Sequence, residues 1–116
     1  MQSVAFSLPV LGDQTEAVRF ALASCWRGPR REAFADARRR AGIVREAVWI
    51  QPAAVGDVGV VYVEADDLAA AFAMLETSTE PFDCWFRDHV HHVHGGTFEA
   101  FFGATELALD FDINRI

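Results

Sequence analysis

A chain of 116 residues is long enough for one domain (residues 1–116) with its own apolar core, and a 52% hydrophobic content with ten phenylalanines excludes a disordered segment. The net charge is −7, with ten arginines and no lysine, and seven of the arginines fall between Arg27 and Arg45. A basic stretch on an acidic protein is not the footprint of a nucleic-acid-binding domain, and it reads as a solvated helix face partly paired with Glu32, Asp36 and Glu46.

No apolar run approaches the roughly 20 residues of a membrane helix. The first residues carry no basic region ahead of an apolar stretch, so no export signal is expected. Cys25 and Cys84, far apart in the chain, then read as free thiols of a cytoplasmic protein. Neither nucleic acid nor membrane is an expected partner.

In chain order, residues 3–10 alternate Val4, Phe6 and Leu8 against Ala5 and Ser7, a half-buried strand that ends near Pro9. Asp13 or Thr15 caps a helix carrying Val18, Ala21, Leu22, Cys25 and Trp26 at helical spacing. Gly28-Pro29 breaks it, and a second, polar helical segment follows from Arg30 to Ala41. Its thin apolar stripe is Phe34, Ala37 and Ala41. The second strand runs from Ile43 to Gln51, with Val44, Val48 and Ile50 on one face and Arg45, Ala47 and Trp49 on the other.

A loop of five to six residues, Pro52 to Asp57, leads into a third strand. Its run from Val58 to Val63 is apolar on both sides, as in a sheet covered on both faces. Asp66 or Asp67 caps a helix with Leu68, Phe72 and Leu75 in its stripe. The stretch Glu80–Gly96, EPFDCWFRDHVHHVHGG, is the next helix. Pro81 stands in its first turn, Gly95-Gly96 ends it, and it holds all four histidines. Residues 97–104 read as irregular, and a last strand from Glu106 to Ile113 alternates Leu107, Leu109, Phe111 and Ile113 against Ala108, Asp110 and Asp112.

The predicted architecture is α+β: a ferredoxin-like β-α-β-β-α-β order giving a four-stranded antiparallel sheet with helices on one face. The doubly apolar third strand then needs a cover for the other face, and the same face of a second copy supplies one, giving a homodimer through sheet-to-sheet packing. The order and length resemble the dimeric α+β-barrel superfamily over nearly the whole chain. GIVREAVWIQ (Gly42 to Gln51), VVYVEADD (Val60 to Asp67) and PFDCWFRDHVHHVHG (Pro81 to Gly95) resemble, more narrowly, a small bacterial family within it whose function is uncharacterised. The superfamily includes cofactor-independent monooxygenases acting on polyketide aromatics, lactone isomerases, polyketide cyclases and haem-binding or haem-degrading enzymes. The resemblance implies a ligand cavity between sheet and helices and a barrel completed by the partner subunit, and it supplies no matched catalytic residues.

Within the histidine helix, Phe82, Phe86, His89, Val90 and Val93 fall on one stripe. His89 shares the apolar face, where a neutral imidazole serves as a general base or a ligand anchor, or simply as a hydrogen-bonded core residue. His91 and His94 read as solvent-facing and His92 as a border residue. Tyr62 and Arg45 are the candidate stabilisers of a developing oxyanion, and Trp49, Trp85, Phe86 and Phe82 the candidate ligand-binding surfaces. The competing reading of the charged residues is a structural ion pair, Arg45–Asp83 or Arg87 with a glutamate. Spacing alone leaves the cluster short of the three or four ligands of a tight metal site, so neither metal nor cofactor is expected. The expected function is a cavity for a small aromatic or polyketide-like molecule, with His89 as base in a monooxygenase, isomerase or cyclase. The alternatives are a non-catalytic binding or dimerisation module, and a haem- or metal-binding protein.

Overall fold

Alternation along the third strand decides the architecture. In β3 (Gly56–Ala65), Gly59, Val61, Val63 and Ala65 are buried, while Val58, Val60, Tyr62 and Glu64 are only half-buried. One face therefore carries the core and the other is open. The computed structural model describes residues 1–103 and 105–115, apart from the side chain of Glu99. Among the described residues the sheet has three antiparallel strands in the order β1-β3-β2, with β1 at Gln2–Pro9 and β2 at Ile43–Ala53. Phe6 and Val48 both pair with Val61, so a continuous apolar row crosses the core face.

Two local features set what β2 presents to the core. The hairpin turn is tighter than the expected loop: Ala53 pairs with Gly56 across the two residues Ala54 and Val55. Gly56 takes φ +128, a conformation that suits glycine. At the other end the register slips between Ile43 and Arg45, leaving Val44 unpaired and exposed. This bulge puts Ile43 on the same face as Glu46, Val48 and Ile50, and corrects the expectation that Val44 belongs to that face.

The expected kinked arm is present as α1 (Thr15–Trp26) and α2 (Arg31–Ala41). Gly28 makes the break possible, because a Cβ there would lie 2.7 Å from Ser24 Cα. Asp67 caps α3 (Leu68–Thr77) by accepting from Ala70 N at 3.0 Å. After α4 (Pro81–His94), the stretch expected to be irregular contains a short helix, α5 (Phe98–Phe102). Its Phe98 and Phe102 pack against Phe72, the latter with ring centroids 4.5 Å apart. Phe6, Leu8, Cys25, Val61, Val63, Phe72, Phe86 and Val90 belong to one buried cluster, so helices and core face share a single core.

The fourth strand is a correction. Residues 105–112 form no strand, and a 3₁₀ turn follows at Ile113–Arg115. The alternation of Leu107, Leu109, Phe111 and Ile113 has nothing to act on, since each is at least 65% exposed. An apolar stripe makes a strand only where a neighbouring strand takes its hydrogen bonds and a core takes its side chains. The fold is thus α+β with three strands, and a four-stranded ferredoxin-like sheet is not present among the described residues.

Candidate functional site

Helix α4 carries the histidines and is held at both ends. Pro81 occupies its first turn, where a missing N–H costs nothing, and Gly95 ends it at φ +76, its N–H bonding to His91 O at 2.9 Å. Phe86, Val90 and Val93 point at the core. At the N-terminal end Asp83 is buried and accepts from Arg40 Nη1 at 2.7 Å and from the Ser78 hydroxyl. Burial alone would raise its pKa, but the Arg40 and Ser78 hydrogen bonds and the nearby positive charge outweigh this and leave it below the usual value. Arg87 donates to the Leu75 and Ser78 carbonyls at 2.7 and 3.0 Å, satisfying carbonyls at the C-terminal end of α3. The expected Arg45–Asp83 pair is therefore replaced by Arg40–Asp83, and Arg87 bonds to backbone instead of a glutamate.

Between this helix, α2 and the core face of the sheet lies a cavity of about 50 Å³. Its walls are mostly apolar, with Leu8, Val48, Val61 and Phe86 among them. Four polar side chains also reach it: Arg38, Glu46, His89 and His94. Arg38 is only 5% exposed and donates from Nε and Nη2 to the two carboxylate oxygens of Glu46, at 2.7 and 3.4 Å. Its guanidinium carbon lies 4.4 Å from the Phe34 ring centre and 4.6 Å from that of Phe86, so the head group is fixed by rings as well as by the carboxylate.

The two histidines at the cavity differ. His94, expected in solvent, is buried, with Nδ1 2.8 Å from Pro9 O. A carbonyl can only accept, so Nδ1 carries the proton and Nε2 is a bare acceptor in the neutral ring. Burial lowers its pKa, with the Pro9 bond opposing. The correction has a plain cause: the last turn of α4 passes over β1, and Gly59 leaves room there, its missing Cβ position being 3.6 Å from His94 Cε1. His89 is half-buried, stacks on Trp85 at 5.9 Å between centroids, and has no protein hydrogen bond among the described residues. Desolvation first, then the charges of His94, His92 and Arg30, lowers its pKa. His91 and His92 are exposed.

Of the sequence-derived candidates, His89 and Phe86 line the cavity, while Phe82 and Trp85 pack beside it, Trp85 beneath Arg30 at 4.0 Å. Tyr62, Arg45 and Trp49 stand apart. By register Ala47 pairs with Tyr62, Arg45 with Glu64 and Trp49 with Val60, all on the open face of the sheet. There Tyr62 donates to Glu64 at 2.6 Å, which, with desolvation, pushes the phenol above its usual value and makes it a poorer acid. His89 is thus separated by the sheet from the two residues expected to assist it.

Sequence reasoning paired Glu46 with the arginine stretch but put that stretch on a solvated face, and so missed Arg38 and Glu46 as buried residues of the cavity. Both carried a usable signal. Arg38 stands four residues after Phe34 and three before Ala41, on the apolar stripe of α2, and Glu46 shares its parity with Val48 and Ile50. The flanking arginines Arg39 and Arg40 masked the first, and the bulge at Val44 obscured the second.

Among the described residues, no group of three or more His, Cys, Asp or Glu side chains is placed to hold a metal ion. No helix among them is long and apolar enough to cross a membrane. The fold and site define a small α+β domain with a partly polar cavity beneath a histidine helix. Comparison with family models, curated proteins and solved structures finds no match to this chain.

Proposed function

We propose that this domain binds a small, mainly apolar molecule between its sheet and helices, and that His89 takes a proton from it. The observation that carries the reading is the cavity itself, apolar on most sides, with an imidazole on its wall that burial biases towards the neutral form and that has no hydrogen-bond partner among the described residues. A neutral imidazole in such a setting is a general base for an enolisable ligand, the first step of isomerisation, cyclisation or oxygenation alike. The size narrows the ligand. About 50 Å³ accommodates about three or four water-sized groups. A fused aromatic of the polyketide kind would need α4 to move away from the sheet.

The same reading includes a homodimer formed through the open sheet face, as in the dimeric α+β-barrel proteins the sequence resembles. Trp49, Val58, Val60 and Tyr62 supply a half-buried to exposed apolar surface there, with no helix over it among the described residues.

The test of the cavity is methyl NMR with small apolar probes. Binding is expected to shift Leu8, Val48, Val61 and Val90 while Leu107 and Leu109 stay unmoved. Absence of any probe-induced shift at the cavity methyls would defeat the reading.

A further inference from the structure

Among the residues that line the cavity, the least explained polar atom is Arg38 Nη1. It is buried and has no hydrogen-bond partner among the described residues, although Nε and Nη2 of the same guanidinium both donate to Glu46. Buried polar groups without partners are uncommon, and a charged donor left unpaired is among the costlier cases. The head group cannot easily turn to relieve it. Glu46 holds Nε and Nη2, and Phe34 and Phe86 hold its plane.

Charge decides what would complete it. Arg38 and Glu46 neutralise each other, and Arg40 with Asp83 does the same on the α2–α4 side. His89 and His94 are both biased towards the uncharged form by burial. The cavity is therefore close to neutral, and an anionic ligand would bring an uncompensated charge into apolar surroundings. A neutral carbonyl oxygen offers lone pairs without that cost.

Building on the cavity reading, we propose that Arg38 is a binding residue whose Nη1 selects a small neutral carbonyl compound, a ketone or aldehyde of a few heavy atoms, in preference to a carboxylate or a hydrocarbon. The Arg38–Glu46 pair is then the orienting element of the site, holding Nη1 where the ligand oxygen must sit, while the apolar walls take the rest of the molecule. If His89 removes a proton from the carbon next to that carbonyl, the electron pair moves onto the oxygen facing Nη1 and the proton resides on the imidazole. Atoms and charge balance with no further reagent.

Three probes matched in heavy-atom count and small enough for the cavity separate the possibilities: acetone, its hydrocarbon isostere 2-methylpropene, and acetate. Binding is followed by methyl and arginine side-chain NMR in the wild type and in the double variant Arg38→Met/Glu46→Leu, which removes donor and carboxylate together. The ratio of acetone to hydrocarbon affinity is expected to fall about tenfold in the double variant, as for the loss of a hydrogen bond from a charged donor. The Arg38 side-chain resonances should move with acetone alone.

If the affinity ratio is the same in both proteins, or acetate binds best, Arg38 does not select a neutral carbonyl and the proposal falls, while the cavity reading stands. If none of the three probes perturbs the cavity methyls, both fall.

Discussion

His89 and His94 lie on one helix but are held by different forces, and their titration separates them from the acidic groups. Burial leads the depression of both imidazoles. In the unfolded chain they take up protons near pH 6.5, and the folded protein resists until lower pH. Between those two values the unfolded state binds more protons, so stability is complete above about pH 6.5 and declines as pH falls below it. Asp83 acts in a separate window: its contribution is present above the ordinary aspartate value and is lost as pH falls through its lower folded value. Urea denaturation from pH 7.5 to 3 should therefore show two descents. The variant His89→Gln/His94→Asn should remove the upper one and leave the lower one in place. An unchanged slope between pH 6.5 and 5 in that variant would mean the histidines are not the groups responsible. The residue scale is also where sequence reading was weakest. His89 could be picked out because its stripe is apolar, whereas His94, four residues after Val90 at the edge of that stripe, is buried because β1 passes beneath the end of the helix.

Elements were more legible than contacts. The break at Gly28-Pro29, the Asp67 cap and both ends of α4 follow from glycine, proline and aspartate chemistry that acts within a few residues. The bulge at Val44 and the absent fourth strand do not, because each depends on what lies across the sheet. The link between α2 and β2 shows the energetic side of this. Arg38 and Glu46 side chains are only 7% and 13% exposed, so removing one partner strands a buried charge. Glu46→Leu alone is expected to cost about 3 kcal/mol. Arg38→Met/Glu46→Leu, which replaces the pair with apolar groups of similar size, should come within about 1 kcal/mol of wild type. Chemical denaturation of the two single variants and the double variant measures this directly. A double variant as unstable as Glu46→Leu would show that the pair holds α2 in place by more than charge compensation.

At the scale of the whole molecule, the sequence pattern of β3 pointed to cover on both faces, and the helices among the described residues cover only one. Val58, Val60 and Tyr62 face away from the helices, beside Trp49, which is 55% exposed. Beta edges add to this: among the described residues β1 and β2 each have one neighbour, and the apolar side chains Leu107, Leu109, Phe111 and Ile113 are exposed. An isologous contact between two copies would bury Trp49 against its symmetry mate or its neighbours and cover the apolar side chains of the open sheet face. Sedimentation equilibrium at micromolar concentration should give the mass of two chains. Trp49→Glu/Val60→Glu should give one chain, because a twofold contact brings the four introduced carboxylates together in a desolvated interface. Since both side chains face away from the core, the variant's helical circular dichroism and its cavity methyl spectrum should be retained. A single-chain mass for the wild type would end the dimer reading, and a two-chain mass for the variant would move the interface to another surface.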